Sequence, residues 1–125
     1  LPEDVWNRPW IKVLLIGEKE LLDKYEPVYR EKYDGGYSVR SGDRYLDVVA
    51  NGVSKGVGVR KLAELLKIDR DKIITVGDNM NDIPMLEAAG ISYAVANAGD
   101  EVKRHADRTA PSNNDDAIAY IINEL

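Results

Sequence analysis

Cysteine and phenylalanine are absent from the 125 residues, and histidine occurs once, at His105. Without cysteine there is no disulfide, no thiolate nucleophile and no Cys-ligated zinc. A single histidine leaves no His-rich metal centre and argues against a local Ser-His-Asp triad. Long apolar runs are also missing: none approaches the roughly 20 residues of a membrane span. Basic residues are the minority charge, with 17 Lys and Arg against 22 Asp and Glu and a net charge of −5. An acidic chain is a poor general ligand for nucleic-acid phosphates or anionic membranes, so neither is expected as a partner. What is present is 44% hydrophobic and 31% charged residues, enough apolar material for a packed core. The chain starts at Leu1 rather than Met, as a piece of a longer protein would.

Aromatic residues divide the chain. Trp6, Trp10, Tyr25, Tyr29, Tyr33, Tyr37 and Tyr45 crowd the first part, and only Tyr93 and Tyr120 follow. The Gly-rich stretch Asn51 to Gly58 sits at this change, so two modules are expected, residues 1–50 and 51–125. In the first, Trp10 to Ile16 predicts a buried strand ended by Gly17. Leu21, Leu22, Tyr25, Val28 and Tyr29 predict a helix that Pro27 should kink or restart. Tyr37 to Arg40 and Tyr45 to Ala50 predict a hairpin around Ser41-Gly42-Asp43.

The second module alternates. Val59, Leu62, Ala63 and Leu66 mark one helical face. Lys72 to Val76 predicts a strand, Ile83 to Ala89 a short helix closed by Gly90, and Ile91 to Ala96 another strand. A short helix over Asp100 to Ala106 and a strand over Arg108 to Ala110 follow. Ile118, Ile121, Ile122 and Leu125 line a last helix, with Asp115 and Asp116 in its first turn. Strands separated by helices imply an α/β fold, a Rossmann-like parallel sheet with helices on both faces. Ligands of such sheets sit beyond the carboxyl ends of the strands.

Two places there carry chemistry. Asp78 ends the Ile73 to Val76 strand, at the ligand edge. Asp82, four residues on, opens the next helix and can face the same spot. Such oxygen donors suit a hard cation such as Mg²⁺. Capping alone accounts for Asn81 and Asp82 but leaves Asp78 unexplained. The second place is Gly52 to Gly58. With Ser54 as N-cap, Lys55 falls in the first helical turn, where a cation opposes the helix dipole. Gly56 and Gly58 weaken that turn further, by about 1 kcal/mol each relative to Ala. A lysine beside exposed amides holds an anion, and glycines permit close approach. An anion-holding lysine paired with a cation-holding aspartate suits phosphoryl chemistry.

Val53-Ser-Lys-Gly56, Ile74 to Leu86, Ala88-Ala-Gly90, Val95-Ala-Asn-Ala98 and Ser112-Asn113 together resemble the haloacid dehalogenase (HAD) superfamily, and most of all its Cof-like sugar-phosphate phosphatases. The likeness covers nearly all of residues 45–125. It implies that residues 1–50 are the C-terminal part of an α/β cap domain and residues 51–125 the C-terminal part of the HAD-like core. It also implies roles by position. Lys55 matches the lysine that neutralises phosphate and nucleophile, and Asp78 a ligand of Mg²⁺. Asp82 matches the second acidic residue, which supports metal-bound water or the lysine, and so counts with Asp78 as a metal-site residue. Asn81 matches a phosphate-side hydrogen-bond donor, and Asn97 and Asn113 match loop positions edging the substrate site. Asp47 stands where relatives often carry Glu.

One departure matters. The family's nucleophile motif, Asp-x-Asp-x-Thr/Val after a strand, is missing. Asp69-Arg-Asp71 has the carboxylate spacing but follows a helix, and is read as a turn. The resemblance therefore implies a cytoplasmic, Mg²⁺-dependent phosphatase of small phosphorylated metabolites. It works through an aspartyl-phosphate, with this chain supplying half the site and the missing N-terminal part of the same protein the rest. A phosphomutase, the phosphorylation domain of a P-type pump, and a catalytically silent fragment or binding module are the alternatives.

Overall fold

The computed structural model describes Asp4, Asn7 to Lys32 and Asp34 to Leu125; Trp6 and Tyr33 lie outside the described residues. The chain forms two compact units, Leu1–Asn51 and Gly52–Leu125.

The first unit holds β1 (Lys12–Ile16), α1 (Lys19–Lys32), β2 (Gly36–Gly42) and β3 (Tyr45–Ala50). The strands form an antiparallel sheet in the order β1-β3-β2. Three expectations are corrected here. The β1 strand is not buried: Ile16 is 65% exposed, since an apolar run reports β propensity and not what covers it. The turn of the hairpin falls at Asp43-Arg44, because β2 runs on through Gly42 with a bulge between Arg40 and Gly42. And α1 runs unbroken through Pro27. Side chains tie the helix on both sides of the proline. Arg40 pairs with Asp23 and Glu26 before it, and Arg30 after it donates to Ser38 Oγ at 3.2 Å.

The second unit contains α2 (Lys55–Leu66), β4 (Ile74–Gly77), α3 (Ile83–Leu86), β5 (Ile91–Val95), α4 (Asp100–Arg104), β6 (Arg108–Ala110) and α5 (Ala117–Asn123). Its three strands pair in parallel in the order β4-β5-β6, with Val76 opposite Tyr93 and Val95 opposite Ala110. The α/β class and the parallel sheet are as the sequence predicts. Leu86, Tyr93, Ala94, Val95, Val102 and Ile121 form the core. The fully buried Tyr93 keeps its hydroxyl satisfied, accepting from Arg108 at 3.1 Å. Asp115 and Asp116 do not enter the last helix. It starts at Ala117, and Asp116 is an N-cap with φ 52 and no capping bond from its side chain.

The expected apolar face of α2 is open. Leu62 and Leu66 remain 55% and 56% exposed and border a groove of about 460 Å³ with Ile74 and Val76 of β4. Exposed apolar surface of this kind drives association. The Leu62→Lys, Leu66→Lys double variant is expected to remain monomeric at concentrations where the parent chain associates, as read by sedimentation velocity. Equal association of the two would show that the groove is not the contact.

Candidate functional site

The site is built at the carboxyl end of β4. The strand ends on Gly77, where a Cβ would stand 2.6 Å from the Cβ of Asp82, so only glycine lets the chain fold back this closely. Asp78 follows, exposed. Asn79 caps a 3₁₀ turn over Met80–Asp82 through a reciprocal capping box with Asp82. The Asp82 carboxylate is 3% exposed and fully employed. Its Oδ2 accepts from the amides of Asp78 and Asn79, both at 3.0 Å, and its Oδ1 accepts from the Lys55 ammonium.

Lys55 reaches that carboxylate from the start of α2, where Ser54 accepts from Val57 N at 3.2 Å as the N-cap. Gly56 makes the approach possible: a Cβ there would lie 2.0 Å from the carbonyl oxygen of Pro84. This corrects part of the sequence reading. Gly56 gives its closeness to a neighbouring backbone rather than to a ligand, while nothing lies within 4 Å of a Cβ at Gly58. Two segments distant in sequence are thereby locked into one corner.

The corner opens into a cavity of about 540 Å³ whose lining includes Lys55, Asp78, Asp82, Asn113 and Asp116. Four of the expected residues thus share one space, and Asp116 joins them unforeseen. Its left-handed backbone is uncommon for any residue but glycine, although aspartate tolerates it better than most. Asn81 and Asn97 are not among the lining residues. Asn81 Oδ1 is buried with no hydrogen-bond partner among the described residues, and Asn97 Oδ1 accepts from Asn113 N at 3.0 Å. Asp47 lies in the other unit, buried, 3.0 Å from the Lys12 ammonium. His105 contacts Glu87 at 2.8 Å. Asp69-Arg-Asp71 falls at a 3₁₀ turn over Arg70–Lys72, with Arg70 donating to the carbonyls of Ala89 and Glu87.

The two carboxylates titrate apart. Partial desolvation of its carboxyl pushes Asp78 up, and the neighbouring Asp82 pushes it further, against a smaller pull from Lys55. Burial also acts to raise Asp82. There the Lys55 ammonium and the two backbone amides outweigh it and hold the carboxyl below the ordinary aspartate range. Asp82 is therefore a fixed anion, and Asp78 the more responsive group.

Among the described residues no three His, Cys, Asp or Glu side chains converge as a metal cluster. A hard cation with few protein ligands still fits the donors. Asp78 offers a carboxylate on the cavity, and Mg²⁺ commonly takes one or two carboxylates and completes its shell with waters or phosphate oxygens. Asp82, both oxygens engaged, is placed to hold Lys55 and the turn.

The sequence profile of the haloacid dehalogenase-like hydrolases matches residues 1–122. A Haemophilus influenzae protein that carries a provisional phosphatase name is 34% identical over 98% of this chain and 47% of its own length. A 5-amino-6-(5-phospho-D-ribitylamino)uracil phosphatase of Escherichia coli is 39% identical over 70% of this chain and 32% of its own. Among solved structures, a haloacid dehalogenase-like hydrolase from B. subtilis superimposes with a TM-score of 0.84 at 30% identity, covering 95% of this chain and 42% of that one. The chain spans about half the length, or less, of the curated relatives it matches. Among the described residues, no helix is long and apolar enough to cross a membrane.

Proposed function

Because this chain belongs to the haloacid dehalogenase-like hydrolase family, we propose that it is part of a cytoplasmic, Mg²⁺-dependent phosphatase. Its substrates are phosphate monoesters of small metabolites, sugar phosphates foremost. The observation that carries this reading is the Lys55–Asp82 pair beside Asp78 at the carboxyl end of a parallel strand. Asp78 would hold the cation, which when bound offsets phosphate charge and orients the phosphoryl group. Lys55 supplies the protein's own positive charge to the phosphate oxygens. Asp82 keeps that ammonium in place and closes the 78–79 turn. Asn113, on the cavity wall, supplies a polar contact on the substrate side.

The attacking carboxylate comes from outside these 125 residues, because Asp69 and Asp71 sit at the start and inside of a 3₁₀ turn tied down by Arg70. Its oxygen displaces the alcohol from phosphorus, and water then releases phosphate from the aspartyl-phosphate. Residues 1–50 act as the end of a cap that selects the substrate, and residues 51–125 as part of the core. The E. coli relative is named for a phosphorylated ribityl compound, which supports a hydroxyl-rich substrate class. The lack of a nucleophile motif favours a second statement about the chain by itself: it binds phosphate without turnover.

The test is phosphate release by the full-length protein from a panel of sugar monophosphates. Turnover that falls at least about 100-fold on removing Mg²⁺ is expected, the scale of one lost electrostatic contribution. Release that is indifferent to chelator would overturn the metal assignment, and no release from any ester would overturn the phosphatase.

A further inference from the structure

The cavity that holds Lys55, Asp78 and Asp82 is bordered by the segment Ser112 to Asp116, which contributes Asn113 and Asp116 to the lining. Sequence alone puts Asn97 and Asn113 side by side as two substrate contacts. The structure sets them in series. The last parallel pair of β5 and β6 is Val95 opposite Ala110. Ala96 N then donates to the carbonyl of Pro111 at 3.3 Å, carrying the ladder one step past the strands. Neither strand continues from there. At the next step the Asn97 side chain takes over, its Oδ1 accepting from Asn113 N at 3.0 Å. A side-chain carbonyl here stands in for a backbone one.

The segment it holds needs holding. Asn114 N donates to Ser112 Oγ at 3.2 Å and Asp115 N to Ser112 O at 2.8 Å, a tight turn. It delivers Asp116 in a left-handed conformation, φ 52 and ψ 41, with no capping bond from its carboxylate. A non-glycine residue keeps such a backbone only where its surroundings over-determine it.

We infer that Asn97 is a positioning residue. It accepts the Asn113 amide and so fixes the 112–116 rim, and it does not touch the substrate. This rests on the cavity being a phosphate site.

Asn97→Asp separates the two roles. Aspartate keeps the acceptor oxygen for Asn113 N but loses the amide donor, and it places a negative charge where a phosphate contact would be. The experiment follows backbone amide resonances of the 125-residue chain while inorganic phosphate is added in the presence of Mg²⁺. Asn97→Ala is expected to move the Asn113 amide upfield and to weaken phosphate by about fivefold, the size of one neutral hydrogen bond. Asn97→Asp is expected to restore both the Asn113 resonance and the phosphate affinity. If Asn97→Asp binds phosphate more weakly than Asn97→Ala, or leaves the Asn113 amide upfield, the positioning role is wrong. If phosphate moves no resonance of the parent chain, the phosphate-site reading fails for this chain. The Asn113 amide alone then upholds or overturns the positioning role of Asn97.

Discussion

Alanine at Gly56 is expected to destabilise the second unit by about 3 kcal/mol, the upper end of overpacking costs. Alanine at Gly58, two residues on in the same helix, is expected to stabilise it by about 1 kcal/mol. Both replacements remove a poor helix former, so propensity alone gives them the same sign. The difference is what the new methyl meets. At Gly56 it would fall 2.0 Å from a backbone carbonyl oxygen, that of Pro84, which no rotamer change can move. Relief must come from sliding α2 away from α3, and that shift carries Lys55 off Asp82. At Gly58 a Cβ has nothing within 4 Å. Denaturant unfolding of the two variants measures the contrast. If Gly56→Ala is as stable as Gly58→Ala, the packing argument for Gly56 fails.

The two aspartates are expected to answer the same substitution in opposite ways. Asp82→Asn gives up a buried carboxylate that binds one ammonium and two backbone amides. With Lys55 half-exposed, its released charge can reach water. The expected loss is therefore about 2 kcal/mol, below the full cost of orphaning a buried ion. Asp78→Asn is expected to leave stability equal or slightly higher at neutral pH, since burial and the Asp82 charge both work against its ionised form. On the proposed phosphatase reading, its expected cost is in turnover, about 10²- to 10³-fold in kcat of the full-length protein.

The pH dependence follows from the same directions. Asp82, held low in the fold, contributes stability that is present above the ordinary aspartate range and is lost as pH falls through its folded value. Asp78, held high, does the reverse: its contribution is present at acid pH and is lost as pH rises through its folded value. Asp82→Asn should thus flatten the acid limb of a stability-against-pH curve, and Asp78→Asn should lift the neutral plateau relative to it. Parallel curves for both variants and the parent would contradict the assignment of opposite shifts.

Much of the second unit is legible in sequence because its signals are local. The β-branched run ending at Gly77-Asp78, the Ser54 cap and the spacing of Leu62 and Leu66 each announce an element within a few residues. That Asp78 stands at the ligand edge follows from a general rule about parallel sheets. What sequence does not carry is the destination of each polar atom. Lys55 reads as an anion holder, and its pairing with Asp82 is added by the fold. Asp82 reads as a support for metal-bound water or for the lysine, and sequence does not say which; in the fold its oxygens meet Lys55 and two backbone amides. Gly56 reads as room for a ligand, and its neighbour is Pro84. Each of these depends on a contact between segments well separated along the chain, which no local pattern encodes. In the first unit the misreading of Pro27 has the same origin: residues farther along the chain hold the helix on either side of it, Arg40 before the proline and Ser38 after it. Asp116 escapes notice for another reason, because its backbone conformation is imposed by the turn before it.

The Asp82 carboxylate also turns the site into its own clock. The amide hydrogens of Asp78 and Asn79 are tied to one buried oxygen rather than to a regular ladder. Their exchange with deuterated solvent therefore times the opening of this corner, separately from the unfolding that frees Tyr93 and Ala94 in the core strand. A ligand that slows the first pair and leaves the second unchanged has tightened the turn without stiffening the fold. The cost of readying the site can then be weighed without following turnover.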